Sequence, residues 1–237
     1  MKMKKILLII LVGILTFTLT GCGTEEIDKS SDAYRFKEEY ESLNGEDNGS
    51  GKTIRTIEIP TENPIKYATE DEIVEKINNK ETFVVYFGFA KCPWCRSMIE
   101  QFIKSAKDNN IETIYYVDVL EVRDTYQIND EGKVELTKEG TTGYMSLIDK
   151  MSNVLSDYTL TNEVGEKVEV GEKRIYAPNV VAVVNGKAEQ MVEGISEKLE
   201  DPYAELTDEM KEESYNSFKC LWTCLEEGSN TCQKNAC

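Results

Sequence analysis

The run Phe83-Val84-Val85-Tyr86-Phe87 is followed almost at once by Cys92-Pro93-Trp94-Cys95 and then by an apolar stripe, and this succession constrains the fold more than any other stretch. An unbroken β-branched and aromatic run suits a strand buried on both faces, because a half-exposed strand would alternate with polar residues. After the motif, Cys95, Ile99, Phe102, Ile103 and Ala106 recur at helical spacing toward Asn109-Asn110, so a helix opens inside the motif. Ile114-Tyr115-Tyr116-Val117 supplies the next strand. Strand, helix and strand in that order form a parallel βαβ unit, which belongs to a sheet covered by helices. Cys95 falls in phase with the buried stripe, whereas Cys92 stands at the helix start, where it can face solvent.

The flanking segments extend the unit. Ile54 to Ile59 reads as a short strand ended by Pro60 and Pro64. Thr69 and Glu72 have capping-box spacing, and Ile73, Val74 and Ile77 form an apolar face, which places a helix near 70–79. Between 119 and 175 the pattern is less regular: Asp130-Glu131-Gly132 reads as a hairpin turn, Tyr144 to Leu155 as a helix and Val164 to Val170 as an edge strand. This stretch reads as an insert of unassigned purpose. Val180 to Val184, the turn Asn185-Gly186 and Ala188 to Val192 make a β-hairpin, and a helix from about Asp208 to Glu227 stops at Gly228.

At the amino terminus Lys2, Lys4 and Lys5 precede a largely apolar run from Ile6 to Leu19, then Thr20, Gly21 and Cys22. That is the order of a secretory signal, here 1–21, and the run falls short of the roughly 20 residues a spanning helix needs. Leu19-Thr20-Gly21-Cys22 also resembles a bacterial lipobox, which implies cleavage before Cys22 and a lipid on that cysteine; the competing reading is an ordinary signal with an incidental cysteine. Residues 22–52, rich in Glu, Asp, Ser, Gly and Asn, read as lipid anchor and flexible tether, with a short helix within it at Ala33 to Leu43, and 53–237 as the folded domain. A net charge of −17 argues against nucleic acid as a partner. It also means that acyl chains, not a basic patch, must hold the chain at the extracytoplasmic face of the membrane.

The chain has 7 cysteines and no histidine. Cysteines in that number suit an exported protein. Setting Cys22 aside, they fall into Cys92 and Cys95 in mid-chain and Cys220, Cys224, Cys232 and Cys237 in a tail over 218–237. A cysteine at a helix amino terminus has its thiolate stabilised by unpaired backbone N–H groups, and Lys91 and Arg96 beside the pair push the same way. Cys92 is therefore the candidate nucleophile and Cys95 the resolving thiol, against the blander reading of an inert bridge. In the tail, nested bridges Cys220–Cys237 and Cys224–Cys232 fit best among three pairings, with a zinc site or a second redox relay as alternatives.

Phe83 to Cys95 with the helix after it resembles the active-site strand and helix of the thioredoxin superfamily. Tyr176-Ala177-Pro178-Asn179-Val180 stands where its members carry a cis-proline loop, and the hairpin at Asn185-Gly186 with Gly194 beyond it is similar to their terminal strands. The resemblance implies an α/β thioredoxin-like fold, a central mixed sheet flanked by helices, with the insert ahead of the proline loop and the Cys-rich tail at the end. It implies a cis Pro178 beside Cys92, peptide hydrogen bonds at Ala177, substrate contacts from Pro93, Trp94 and Tyr176, and neither cofactor nor metal. Tyr86 departs from the pattern, because it stands where thioredoxins bury an aspartate that assists proton transfer. Glu100, where they have a kinking proline, is the candidate replacement acceptor, against the plainer reading of a solvated helix-face carboxylate. The activity expected is thiol–disulfide exchange on exported proteins or peptides, served by a membrane redox partner, and Pro93 tilts the direction toward oxidation or isomerisation. The rival is a non-catalytic peptide-binding accessory lipoprotein, similar to thioredoxin-like bacteriocin-accessory proteins. A metal carrier using the tail is a third.

Overall fold

A computed structural model describes residues 28–227. The stretch 1–21 read as a signal, Cys22, Cys232 and Cys237 lie outside the described residues, and so do the partners in the nested bridges expected of the tail. Five strands form the central sheet: β1 (Ile65–Tyr67), β2 (Phe83–Gly88), β3 (Ile114–Asp118), β8 (Asn179–Val184) and β9 (Lys187–Val192), in the order β1-β3-β2-β8-β9. β3 pairs parallel with both β1 and β2, β8 runs antiparallel to β2, and β9 antiparallel to β8. The sheet is therefore mixed, with helix α3 (Pro93–Asp108) linking β2 to β3.

Period-two alternation in β2 builds two cores. Val84 and Tyr86 face one layer, which includes Ile99 and Phe102 of α3, Phe36 and Tyr40 of α1 (Asp32–Glu41), and Leu221 and Trp222 of α6 (Lys219–Glu227). Phe83, Val85 and Phe87 face the other, with Ile73 and Ile77 of α2 (Glu70–Asn78) and Leu147 and Met151 of α4 (Thr142–Met151). The capping box predicted for α2 is present at both ends, Thr69 with Glu72. Between β3 and β8 stand the hairpin β4 (Thr125–Ile128) and β5 (Val134–Lys138), then α4, then the hairpin β6 (Ser156–Thr161) and β7 (Lys167–Arg174). The turn expected at Asp130-Glu131-Gly132 joins the first hairpin, and Asn185-Gly186, both at positive φ, joins β8 to β9 as expected. Among the described residues no helix is long and apolar enough to cross a membrane.

Several expectations need correction. Much of the stretch assigned to a tether over 22–52 is packed: α1 carries Phe36 and Tyr40 into the sheet's core, so the folded body begins well before residue 53. Ile54 to Ile59 belongs to no named strand. Ile54 exchanges backbone bonds with Gly45 and Glu46, and further on side chains take over, with Ile57 N–H donating to Asn44 Oδ1 (3.1 Å), Glu58 N–H to Glu100 Oε1 (2.9 Å) and Ile59 N–H to Glu41 Oε1 (2.6 Å). Val164 sits in the β6–β7 turn, exposed, because the edge strand starts only at Lys167. The closing helix is two, α5 (Asp208–Ser217) and α6, separated at Phe218. There the Phe218 ring presses on Gly194 so closely that a Cβ would stand 2.1 Å from it.

Candidate functional site

Cys92 is the N-cap of α3 and Pro93 occupies the first turn, where its missing N–H costs nothing. Strand β2 ends at Gly88, and the loop that follows is pinned by Cys92 N–H donating to the Phe89 carbonyl at 3.0 Å. Cys92 Sγ accepts the Cys95 N–H at 3.2 Å, as a capping oxygen would, and its thiol donates to the Ala177 carbonyl at 3.2 Å. Both thiols are free, and the Ala177–Pro178 peptide is cis. The proline loop ahead of β8 is thereby brought onto the amino terminus of α3, the placement that the resemblance implied. One expectation fails: Cys92 does not face open solvent but is 3% exposed, covered at the junction of these elements.

The two thiols are driven apart electrostatically. The hydrogen bond with Cys95 holds Cys92 below its ordinary value; burial opposes this, and the N–H groups of Cys95 and Trp94 and the Arg123 cation add to it. Burial pushes Cys95 well above its ordinary value, and the neighbouring Cys92 reinforces the shift; the Tyr86 hydroxyl and the Phe89 backbone work against it. Cys92 is thus the more acidic thiol of the pair and Cys95 the less acidic.

Trp94, Tyr176, Ala177 and Pro178, together with Glu193 and Leu199, line one cavity of about 380 Å³, and Ala177 is the residue that also meets Cys92. Pro93, in the first turn of α3, is not among the residues that line it. Tyr176 is fixed by the insert: its hydroxyl accepts the Thr159 N–H at 3.0 Å and donates to the Asp157 carbonyl at 3.2 Å, while its N–H reaches Asn179 Oδ1 at 2.7 Å. The insert is closed on itself by a buried ion pair, Arg174 Nη1 to Asp124 Oδ1 at 3.1 Å, with the guanidinium lying 3.9 Å over the Tyr158 ring. Through Asp157 and Thr159 the insert holds Tyr176, one of the residues that line this cavity.

The flanking cations do not act as the sequence suggested. Arg96 turns away from the pair and is buried, donating to the carbonyls of Tyr40, Ala90 and Arg55 and to Asn44 Oδ1, which ties α1 and the extended segment to the start of α3. The cation that bears on Cys92 is Arg123, from the start of the insert, 5.1 Å over the Phe89 ring. Glu100 is spent on the Glu58 N–H and has no hydrogen bond to either cysteine, so the proton-acceptor role gains no support. Tyr86, which the sequence marks only as a missing carboxylate, is buried in the same cluster as Cys95, and its hydroxyl works to lower the Cys95 pKa. In the tail, Cys220 and Cys224 of α6 each take part in a disulfide, and Trp222 of the same helix donates to Ser105 Oγ of α3 at 2.9 Å. Among the described residues no cluster of acidic, cysteine or histidine side chains is arranged to hold a metal. No protein-family model, curated protein or solved structure matches this chain.

Proposed function

We propose that the chain is a thiol–disulfide oxidoreductase of thioredoxin-like fold, with Cys92 as nucleophile and Cys95 as resolving thiol. The observation that carries the reading is the pair's geometry: a thiol capping a helix, 3.2 Å from the Cys95 N–H and 3.2 Å from the Ala177 carbonyl, with its pKa pushed opposite to its neighbour's. Cys92 attacks a substrate disulfide, releasing one substrate thiolate and forming a mixed disulfide; Cys95 then attacks Cys92, releasing the second. Stabilising the Cys92 thiolate stabilises the reduced pair, which favours oxidation or isomerisation of substrates over their reduction. The cavity beside Trp94 and Pro178 suits an extended exported polypeptide. Anchoring through Cys22 outside the cytoplasmic membrane, and a membrane partner that resets the pair, belong to the same proposal.

Two measurements test it. The Cys95→Ser variant expressed in the native cell should accumulate mixed disulfides through Cys92 with exported proteins; their absence favours a non-covalent accessory role. The pair's reduction potential, read by thiol labelling in glutathione buffers, should lie at roughly −120 to −180 mV. A potential below about −300 mV would identify an inert bridge and remove the enzymatic reading.

A further inference from the structure

Resolution through a buried second cysteine raises a problem of charge, because Cys95 must become anionic in a place where burial disfavours the anion. No carboxylate is hydrogen-bonded to Cys95 among the described residues; Tyr86 shares its buried cluster, and the phenol is the side chain besides Cys92 whose hydrogen bonding bears on Cys95. The Tyr86 ring runs along β2 toward the motif, directly over Gly88, where a Cβ would stand 2.2 Å from Tyr86 Oη. Gly88 is thus the space in which the hydroxyl lies. Behind it, Tyr40 Oη is 2.9 Å from Tyr86 Oη, and neither tyrosine has any exposed surface. Tyr40 is itself held at its backbone, where its carbonyl accepts Arg96 Nη1 at 2.8 Å from the residue next to Cys95.

We propose that Tyr86 donates its phenolic hydrogen to the Cys95 sulfur in the resolving step, and that Tyr40, reaching in from α1, positions that hydroxyl by donating to it. The inference rests on the redox reading of the pair. Each hydrogen is used once: Tyr40 O–H to Tyr86 Oη, and Tyr86 O–H to Cys95 Sγ. Burial pushes both phenols well above their ordinary range, so both remain donors at neutral pH. In the step itself the Cys95 sulfur attacks Cys92, the bond between Cys92 and the substrate sulfur breaks, the Cys92–Cys95 disulfide forms, and the substrate sulfur is reduced. The proton of Cys95 leaves with the substrate thiol. Tyr86 keeps its own and supplies only the hydrogen bond that lowers the cost of a buried thiolate.

The test separates the two steps. Reduced full-length chain is mixed with dithiobis(nitrobenzoate), and release of nitrothiobenzoate is followed by stopped flow against a Cys92→Ser/Cys95→Ser blank. Wild type should show a concentration-dependent phase, attack by Cys92, then a concentration-independent one, resolution by Cys95. Tyr86→Phe should leave the first phase within about twofold and slow the second about tenfold or more, the loss expected for a hydrogen bond to a charged group. Tyr40→Phe should slow the second phase alone by about threefold. It keeps the ring that packs the core, so it decides the matter if Tyr86→Phe does not fold. An unchanged second phase in the variants overturns the inference, as does equal slowing of both phases, which would mark a merely structural role. A wild type that releases one equivalent in a single phase overturns the redox reading, and the inference with it.

Discussion

Removing the Phe36 ring tests whether α1 belongs to the folded body. Phe36 has no exposed surface, and its ring centroid lies 4.3 Å from Tyr40, 4.9 Å from Tyr116 and 6.5 Å from both Tyr67 and Tyr86. A Phe→Ala change in such a site costs about 3–5 kcal/mol, from lost transfer energy and the cavity left behind. Around the hole, Tyr86 and Tyr116 are held by the sheet and Tyr40 by Arg96, so little collapse is available to reduce the figure. At about 2–4 °C per kcal/mol for a domain of this size, the melting temperature should fall by roughly 6–20 °C. The assay is thermal and urea unfolding followed by tryptophan fluorescence, since Trp222 is buried and stacked on Phe102 and reports the same core. Glu38→Ala, exposed on the same helix, is the control and should stay within about 0.5 kcal/mol. A Phe36→Ala loss below about 1 kcal/mol would mean that α1 is only tethered, and the argument that it supplies Tyr40 to the site would fail with it.

Other consequences are open to measurement. Arg123→Gln should raise the pKa of Cys92 and slow its alkylation by iodoacetamide at pH 7 by about two- to fivefold, while Lys91→Gln leaves it unchanged; equal effects would refute the assignment of Arg123. In the reduced protein Cys92, depressed on folding, contributes stability above its ordinary value of 9.0 that is lost as pH falls through its folded value. Cys95, raised on folding, contributes stability below 9.0 that is lost as pH rises toward its folded value. The stability of reduced over oxidised protein should therefore peak near pH 9, and a monotonic rise into the alkaline range would contradict the Cys95 shift. Arg174→Met leaves the buried Asp124 carboxylate unpaired and should cost about 3–5 kcal/mol at neutral pH. Burial already holds Asp124 above its ordinary value, so protonation should relieve that cost, and the variant should be less impaired at pH 4 than at pH 7.5 in urea melts.

The parts of this molecule that could be read from sequence are those set by local periodicity. β2, α3 and β3 follow from an unbroken apolar run and a 3.6-residue stripe, and α2 from a capping box, because each of those signals reports burial or backbone satisfaction within a few residues. The meeting of Cys92 with Ala177 was legible only by resemblance, since 85 residues separate them. What escaped was decided by side chains reaching across the fold. Glu41, Asn44 and Glu100 satisfy the backbone of 57–59, so an apolar alternation that looks like a strand needs no ladder. A charged Arg96 beside the motif looked like an electrostatic aid, but carbonyls on three segments draw it inward, and its cation serves packing.

The tyrosines make the same point more sharply. In the sequence Tyr86 reads as one more aromatic in a buried strand and Tyr40 as part of a short helix within a solvated tether, so nothing local joins them. Their hydroxyls meet because α1 packs over β2 and because Gly88 leaves room for a phenol to lie along the strand. A carboxylate at this depth would need a partner of its own or a shifted pKa, whereas paired phenols satisfy each other and remain neutral. The core can therefore carry a hydrogen-bond donor to Cys95 without burying a second titrating charge beside it. That physical economy gives α1 a reason to be part of the domain, and it makes Tyr40 and Tyr86, more than Glu100, the residues whose substitution should separate the two steps of exchange.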